Sequence, residues 1–233
     1  MHTSPTVLIT GANRGIGLGF TLAYLARGYQ VIATCRHPQQ AMELNHLTAE
    51  YKTQLHLDKL DVTVENDFAR LKVKYADQPI DILINNAGVF PEDHERAGIA
   101  HTRYQQLISA LTTNAAGALL TIQSFQQNLL RCETPKIINI SSQMAALHHA
   151  KGFAYAYRMS KAALNMLTCS FAAENKHIIT ISLRPGWVKT AMGGSHANIS
   201  VEESINKMIT IIDGLTRDDS GTFLDNDKNH CAW

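Results

Sequence analysis

The sequence predicts an α/β fold: one doubly wound parallel sheet of about seven strands, with helices on both faces. Two observations predict it. Short runs rich in β-branched residues alternate with longer segments of helical period, which indicates βαβ units. Several of the short runs are apolar at consecutive positions, as expected for strands that helices cover on both sides. No linker, low-complexity tract or repeat interrupts the pattern, so the sequence predicts a single domain over residues 1–233.

The predicted strands follow one another at the spacing of crossover connections. They cover residues 7–10, 30–34, 55–60, 80–85, 137–140 and 178–183, with a short seventh at 222–224. The predicted helices lie between the strands and carry apolar residues at helical spacing. They cover residues 15–27, 39–50, 65–75, 102–130, 153–175 and 201–215.

Composition and charge argue against several classes of protein. Of the 233 residues 45% are hydrophobic, and 21 basic against 20 acidic residues give a formal net charge of +1. Without a basic run, charge does not favour a nucleic-acid or membrane-surface partner. The apolar runs are too short to span a bilayer, and the N-terminal "MHTSPTVLIT" lacks the pattern of a signal peptide. Four widely spaced cysteines fit reduced thiols, so we expect a cytoplasmic location.

A glycine-rich stretch, "TGANRGIG", follows the first predicted strand and opens the first predicted helix. Its glycines are Gly11, Gly15 and Gly17. Glycine permits positive φ and lets the backbone approach a pyrophosphate, while a helix N-terminus offers free N–H groups and a favourable dipole. Tight strand-to-helix turns also use glycine for structural reasons alone, but this context favours a dinucleotide site.

Polar residues also follow the other predicted strands. Asp61 ends the third, "NNAG" at residues 85–88 ends the fourth, "INISS" ends the fifth at Ser141 and Ser142, and "RPGWVKT" follows the sixth. Any one of these is most often a helix cap or a turn. In such sheets, however, ligands bind beyond the carboxyl ends of the strands, so their arrival at one edge predicts a binding site there. Asp61 is then suited to accept a hydrogen bond from an adenine amine.

Two tyrosines precede a lysine in "YAYRMSKAALN", which otherwise has the pattern of a helix. Residues four apart share a helix face, so Tyr157 faces Lys161, whereas Tyr155 faces Met159. An aromatic ring packed on a lysine stem would give the same pattern without any chemistry. If the stretch is catalytic, Tyr157 is the reacting residue and Tyr155 is a wall of the site.

The chain resembles the short-chain dehydrogenase/reductase family over essentially its whole length. "TGANRGIG", "NNAG", "NISS", "YRMSK" and "RPGWVKT" occur in that family's order and approximate spacing. "YRMSKAALN", "PGWVKTAMGG", "SVEESI" and "SGTFLDNDKNHCAW" are most similar to the C-factor and sniffer type of carbonyl reductase. The resemblance implies a Rossmann fold, an NAD(P) cofactor, and hydride transfer to or from a small carbonyl or alcohol substrate. It also implies a homodimer or homotetramer formed through the helices at residues 102–130 and 153–175, although some relatives are monomers, which leaves the oligomeric state open.

Matched position by position, the resemblance implies a catalytic tetrad of Asn114, Ser142, Tyr157 and Lys161. In the family the asparagine holds a water that connects the lysine to solvent. The implied cofactor-binding residues come from the glycine loop, the strand ends and the tetrad: Gly11, Asn13, Arg14, Gly15, Ile16, Gly17, Arg36, Asp61, Val62, Asn86, Ala87, Gly88, Tyr157, Lys161, Pro185, Gly186, Val188 and Thr190.

The implied chemistry explains why these residue types are needed. Reducing a carbonyl requires a hydride on carbon and a proton on oxygen, and Tyr157 is the implied general acid/base. An unperturbed tyrosine has a pKa of about 10, and the ammonium of Lys161 is expected to lower that pKa toward the working range. Ser142 is expected to stabilise charge on the substrate oxygen. Lys161 is also a candidate to hold the ribose hydroxyls of the nicotinamide half.

The end of the second predicted strand favours NADP(H) over NAD(H). Folds that take NAD carry an acidic residue about 20 positions beyond the glycine loop, where it binds the ribose 2′-hydroxyl. Here that strand ends in "ATCRHP", and the next acid is Glu43. Arg36, together with Arg14 in the glycine loop, offers guanidinium groups suited to a 2′-phosphate. Either arginine alone is also what a solvated surface would carry.

The main prediction is therefore an NADPH-dependent carbonyl reductase, or an alcohol dehydrogenase in reverse. One alternative is a non-catalytic NADP-binding regulator or C-factor-like signalling protein, and a Rossmann methyltransferase is a weaker one; the complete tetrad favours the enzyme. No metal site is predicted, because the eleven histidines show no ligand spacing. The substrate is left open. Five apolar residues flank the motifs, either as pocket walls or as ordinary packing: Phe90, Met144, Phe153, Trp187 and Met192.

Overall fold

The computed structural model describes residues 4–93 and 98–233, and it confirms the predicted α/β fold. Seven parallel strands form one sheet in the order β3-β2-β1-β4-β5-β6-β7. Their bounds are β1 Thr6–Thr10, β2 Gln30–Cys35, β3 Leu55–Lys59, β4 Ile82–Asn85, β5 Lys136–Ile140, β6 Ile179–Leu183 and β7 Phe223–Leu224.

Helices cover both faces of the sheet. Their bounds are α1 Gly15–Ala26, α2 Met42–Glu50, α3 Glu65–Lys74, α4 Tyr104–Leu111, α5 Gly117–Leu129, α6 Tyr155–Glu174 and α7 Val201–Asp213. One hydrophobic cluster joins α1, α2 and α7 to the sheet, and a second joins α3, α5 and α6 to its other face. Within the described residues, no helix combines the length and the apolar composition needed to span a bilayer.

Consecutive residues of β1 belong to opposite faces of the sheet. Val7 and Ile9 pack into the cluster with α1, α2 and α7, whereas Leu8 packs into the other cluster. All three side chains are fully buried, and burial of each stabilises the fold by roughly 1.5–3 kcal/mol. Burial on both faces explains why this strand is apolar at consecutive positions.

The strand order reverses beside β1. This strand pairs with β2 on one side and with β4 on the other. The chain then extends the sheet through β3 at one end and through β5, β6 and β7 at the other. The carboxyl ends of β1 and β4 therefore border the crevice where sheets of this kind bind ligands.

The helix predicted over residues 102–130 is interrupted in the structure. Between α4 and α5 the backbone forms a π-helical turn at Thr112–Ala116. Such turns are rare and are frequently found at functional sites. This one contains Asn114, a member of the implied tetrad.

Two other helices differ in detail from the prediction. α6 begins at Tyr155 rather than at residue 153, because Ala154 has a left-handed φ of +55°. A 3-10 turn at Pro38–Gln40 takes up the start of the helix predicted over residues 39–50. The remaining boundaries differ by one or two residues, which is the usual uncertainty of helix and strand ends.

Candidate active site

The turn between β1 and α1 brings backbone N–H groups to the edge of the crevice. Gly11 and Gly15 have φ values of +65° and +53°, which other residues rarely adopt. A Cβ on Gly17 would lie 2.3 Å from the carbonyl oxygen of Gly11, so only glycine fits there. No side chain caps α1, and its first turn has no acidic residue. The N-terminus of α1 is therefore open to an anion such as a pyrophosphate.

This glycine turn (residues 11–17) is held to the end of β4 by hydrogen bonds. The Asn86 side chain donates to the carbonyl oxygens of Thr10 and Gly11 at 2.9 and 3.0 Å. The Thr10 hydroxyl oxygen accepts from the N–H groups of Asn86 and Ala87 at 3.1 and 3.0 Å. Asn86 therefore fixes the position of the glycine turn.

Two arginines lie exposed at the same edge. The N–H of Ala12 donates to the carbonyl oxygen of Thr34 at 2.9 Å, which joins the glycine turn to the end of β2. That turn carries Arg14, and Arg36 follows β2 directly; both side chains are exposed. Among the residues that the structure describes, neither guanidinium has a carboxylate within ion-pair distance. Both are available for a phosphate. Asn13 is exposed in the same turn, and Ile16 is half-buried in the first turn of α1.

Asp61 and Val62 follow β3 at this edge. Burial raises the pKa of Asp61, but hydrogen bonds from the hydroxyl and N–H of Thr63 and the charge of Arg36 outweigh burial, so the pKa is lowered overall. Asp61 is therefore an ionised acceptor. Val62 is buried, and its Cγ2 would lie 2.7 Å from a Cβ on Gly117. It packs against the start of α5 below the crevice.

The segment after β6 faces the glycine turn from the other side. Gly186 has a φ of +84°, and the carbonyl oxygen of Pro185 accepts a hydrogen bond of 2.7 Å from α7. Val188 is buried. The Cγ2 atom of Thr190 would lie 3.3 Å from a Cβ on Gly15. Residues 185–190 thus close the crevice opposite the N-terminus of α1.

Tyr157 and Lys161 share one face of α6, as their spacing predicts. The Nζ atom of Lys161 lies 5.8 Å from the centre of the Tyr157 ring, and it donates to the carbonyl oxygen of Ile140 at 2.7 Å. The two residues are only 9% and 5% exposed. Tyr155, the first residue of α6, is half-buried. The helix therefore directs Tyr157, rather than Tyr155, to the lysine.

The two serines after β5 have different surroundings. The Ser141 hydroxyl donates to Oδ1 of Asn165 at 2.7 Å in the interior, which ties β5 to α6. The Ser142 hydroxyl accepts from the N–H of Met144 at 3.1 Å, and its interaction with the Tyr157 side chain lowers the pKa of the tyrosine. Ser142, rather than Ser141, is therefore the serine that faces the tyrosine.

Asn114 connects the segment after β4 to α6 through hydrogen bonds. Its Oδ1 accepts from the N–H of Val89 at 2.7 Å. Its Nδ2 donates to the carbonyl oxygen of Val89 at 2.9 Å and to the hydroxyl of Ser160 at 2.8 Å. A Cβ on Gly88 would lie 3.2 Å from Asn114 Oδ1 and 3.7 Å from Lys161 Nζ. Asn114 thus lies beside the lysine, and its side chain is hydrogen-bonded to protein groups. The water that the resemblance assigns to Asn114 stays a prediction.

Burial dominates the electrostatics of the tyrosine and the lysine. It raises the pKa of Tyr157 to about 12, while the hydrogen bond with Ser142 lowers this pKa and the charge of Glu92 raises it. Burial also lowers the pKa of Lys161 to about 8. The expectation that Lys161 would draw the pKa of Tyr157 below its ordinary value is therefore wrong for this structure. Burial disfavours the charged phenolate, and Ser142, not Lys161, is the group that lowers the pKa of Tyr157.

Glu92 belongs to the site, and the sequence motifs did not reveal it. It is buried, and its Oε1 accepts from the N–H of Tyr157 at 3.0 Å, a contact that spans 65 positions. Ser160 was also missed: its hydroxyl donates to the carbonyl oxygen of Tyr157 at 2.7 Å. The one sequence signal for Glu92 was an acid shortly after a predicted strand end, in "VFPEDH".

The crevice therefore combines an anion site at the N-terminus of α1 with a tyrosine, a serine and a lysine. A dinucleotide lying across the ends of β1 and β4 fits this arrangement. A phenol and a hydroxyl can supply a proton and a hydrogen bond to one oxygen atom. In the part of the chain that is described, no group of three or more His, Cys, Asp or Glu side chains is arranged to hold a metal ion.

Comparison with known proteins gives the class of this chain. Residues 5–198 match the family described as short chain dehydrogenase. The match covers most of the chain, which therefore belongs to the short-chain dehydrogenase family of oxidoreductases. The C-signal protein of Myxococcus xanthus is 35% identical over 158 residues, which make up 66% of this chain and 93% of C-signal.

Solved structures give the particular type. The carbonyl reductase Sniffer of D. melanogaster is 32% identical, with a TM-score of 0.92 over 99% of this chain and 100% of Sniffer. An NADPH-bound carbonyl reductase from chicken fatty liver is 34% identical, with a TM-score of 0.90 over 99% of both chains. The chain is thus of the sniffer and C-factor-like type, which confirms the prediction from its motifs.

Proposed function

We propose that this protein is an NADPH-dependent carbonyl reductase, or an alcohol dehydrogenase in reverse, acting on a small molecule. The observation that carries the proposal is the meeting of Ser142, Tyr157 and Lys161 at the same sheet edge as the open N-terminus of α1. The relatives support it, since Sniffer and the chicken protein are both described as carbonyl reductases.

NADP(H) is the cofactor that these residues fit, and it supplies the hydride when it is bound. The glycine turn and the N-terminus of α1 would hold the pyrophosphate. Arg14 and Arg36 would hold the 2′-phosphate, because two exposed guanidinium groups stand at this edge and no acid follows β2 directly. Asp61 would accept from the adenine amine. The end of β4 and residues 185–190 would line the nicotinamide half. The chicken relative is described as NADPH-bound.

Tyr157 is the proposed general acid. Because burial raises its pKa to about 12, the phenol keeps its proton at neutral pH and can give it to a carbonyl oxygen that gains charge. Ser142 would donate a second hydrogen bond to the same oxygen. Lys161, whose pKa burial lowers to about 8, is still largely protonated at pH 7. Its ammonium would favour the phenolate left behind and bind the ribose hydroxyls.

The surroundings of Tyr157 favour a substrate with an apolar body. Phe90 and Met144 pack against the tyrosine, and the Phe90 ring centre lies 4.9 Å from the Tyr157 ring centre. Large apolar side chains are also exposed at Phe153 and Trp187, on segments that border the site. We therefore expect aromatic or aliphatic carbonyls to be reduced faster than open-chain sugars of similar size.

A second candidate is an NADP-binding signalling protein, acting with or without turnover. It is favoured by the similarity to C-signal, which is 35% identical. This role would use the same dinucleotide site but would not need the proton donor. The two candidates therefore differ in what happens after the cofactor binds.

The deciding experiment measures NADPH binding and NADPH consumption across aldehydes, ketones, quinones and diketones. We expect tight binding and turnover with at least one carbonyl, with turnover lost in Tyr157→Phe. Tight binding without turnover across the panel would favour the signalling protein. Failure to bind either NADPH or NADH would contradict both candidates.

Two further predictions belong with this proposal. The first is a single domain over residues 1–233, which limited proteolysis would test by the absence of a stable fragment. The second is a homodimer or homotetramer, which sedimentation of the purified protein would test.

A further inference from the structure

Glu92 is a buried carboxylate placed against the residue that carries the proposed proton. Its side chain is 6% exposed, and Oε1 accepts from the backbone N–H of Tyr157 at 3.0 Å. Its second oxygen, Oε2, is buried and has no hydrogen-bond partner among the described residues. A buried carboxylate oxygen without a partner is costly and uncommon. Its burial beside Tyr157 therefore points to a role at the site.

The N-terminus of α6 explains part of the contact. Ala154, at the N-cap position, is in the left-handed region and provides no side-chain cap, and the first turn of α6 contains no acidic residue. Glu92, in the loop after β4, supplies the missing acceptor. It accepts from the N–H of Tyr157, the third residue of the helix. A carboxylate at a helix N-terminus is favoured by the helix dipole, so Glu92 fixes the turn from which the Tyr157 ring projects.

We propose that Glu92 is a positioning residue whose negative charge helps to hold the proton on Tyr157, so that alcohol oxidation, which requires the phenolate, begins at a higher pH than it would without that charge. The proposal rests on the proposed function, because it concerns the same proton transfer. Glu92 touches the backbone of Tyr157 and acts on the phenol through its charge and through the helix. The reaction itself is unchanged: Tyr157 gives a proton to oxygen in reduction and takes one back in oxidation.

Few other charged or titratable groups surround Tyr157 in the described residues. On α6 they are Lys161, one turn along, and Arg158, which is directed to the carbonyl oxygens of the preceding loop. The π turn and the turn at Gln143–Ala145 contain no charged residue, and α4 brings only the exposed Tyr104. Asp93 is exposed beside Glu92. Glu92 is thus the one carboxylate of this set that is in direct hydrogen-bond contact with the Tyr157 residue.

The electrostatics agree in direction with this geometry. After burial, which has the largest effect, and against the lowering effect of Ser142, the charge of Glu92 raises the pKa of Tyr157. A like charge nearby disfavours the charged form of an acid. Removing the charge should therefore make the phenolate, which alcohol oxidation requires, available at lower pH.

The test compares Glu92→Gln with Glu92→Ala. Glutamine keeps an acceptor for the N–H of Tyr157 but removes the charge, whereas alanine removes both. Asp93→Asn is the control, because it removes the neighbouring exposed charge. For each purified holoenzyme, kcat/KM for alcohol oxidation is measured as a function of pH. We expect the midpoint for Glu92→Gln to move down by about one pH unit, the size of a single nearby charge, and the Asp93→Asn midpoint to stay at the wild-type value.

A second readout does not need turnover. Ultraviolet titration of tyrosine ionisation, taken as the difference between each protein and its Tyr157→Phe counterpart, follows the phenol directly. Amide hydrogen exchange at Tyr157 reports on the hydrogen bond from its backbone N–H to residue 92. We expect this exchange to be slow in wild type and Glu92→Gln and fast in Glu92→Ala. Coincident midpoints or titration curves for wild type and Glu92→Gln would overturn the proposal. If no alcohol or carbonyl is turned over, the proposed function fails, while these two measurements still decide the role of Glu92.

Discussion

Lys161 in α6 donates a hydrogen bond of 2.7 Å to the carbonyl oxygen of Ile140, the last residue of β5. Ser142 follows Ile140 by two residues, so this contact fixes the lysine relative to the serine as well as to Tyr157. An ammonium has three donors, so the bond leaves two for a ligand. One strand end and one helix thus hold the three proposed catalytic groups in a fixed relation.

Replacement of Tyr157 by phenylalanine removes one hydroxyl and should leave the helix intact. Because that hydroxyl is the proposed proton source, we expect kcat for carbonyl reduction to fall by roughly 10² or more, the scale of a lost general acid. NADPH binding and the free energy of unfolding should change little. Tyr155→Phe is the matched control and should retain most of the activity. An inactive Tyr155→Phe beside an active Tyr157→Phe would reverse the assignment of the two tyrosines.

Replacement of Arg36 by aspartate places an acid at the position that NAD-binding folds use. We expect NADPH to bind more weakly by about 1.5–3 kcal/mol for each charged hydrogen bond lost, with repulsion added. NADH lacks the 2′-phosphate and should be affected far less. Calorimetric titration of both cofactors against both proteins measures the difference. Equal affinity of the wild type for NADH and NADPH would contradict the assignment of NADP(H).

Lys161 gives a prediction about stability and pH. Burial lowers its pKa in the folded protein to about 8 from its ordinary value of 10.5. Between these two values the unfolded chain binds more protons than the folded one, so the contribution of Lys161 to stability rises with pH. We expect the free energy of unfolding of wild type, relative to that of Lys161→Met, to increase by up to about 3 kcal/mol as the pH rises from neutral to 10.5.

Denaturant titrations at several pH values measure this difference. Lys176→Met is the control, because it removes an exposed lysine instead of a buried one. A flat difference for Lys161→Met would mean that the lysine is better hydrated than its burial implies.

Gly17 is expected to be the least replaceable glycine of the turn. A Cβ there would lie 2.3 Å from the Gly11 carbonyl oxygen and 2.5 Å from the Asn86 side chain. We expect Gly17→Ala to lower the free energy of unfolding by about 1–3 kcal/mol, the usual cost of overpacking, and to weaken NADPH binding. Gly98→Ala, where a Cβ meets no atom of the described residues within 4 Å and φ is −77°, should leave both unchanged. Thermal unfolding with and without NADPH compares the two variants, and equal behaviour would contradict the tight fit.

The sequence predicted the parts of this molecule that follow a local or repeating pattern. Burial on both faces explains the consecutive apolar residues of β1, and the helical period explains why Tyr157, not Tyr155, meets Lys161. The choice of Ser142 over Ser141 came from the family resemblance, and the inward hydrogen bond of Ser141 now gives a physical reason for it.

Features that depend on contacts between distant segments were not predictable in this way. The π turn forms around Asn114, whose side chain bonds the backbone of Val89 and the hydroxyl of Ser160. Nothing in the local sequence indicates those partners. In the sequence Glu92 belongs to no motif, and only the fold places it at the N–H of Tyr157. The high pKa of Tyr157 likewise arises from burial, which spacing along a helix does not report.

The pairing of β1 with β4 also bears on how the protein emerges from a ribosome. The contact between Asn86 and Gly11 spans 75 positions, and closing so long a segment is slow because its entropy is lost before the contact forms. A nascent chain that has emerged only as far as β3 contains the glycine turn but not the end of β4 that holds it. The proposed dinucleotide site is therefore incomplete on a chain that ends at β3. A dinucleotide can stabilise only those biosynthetic intermediates in which the end of β4 has already joined β1.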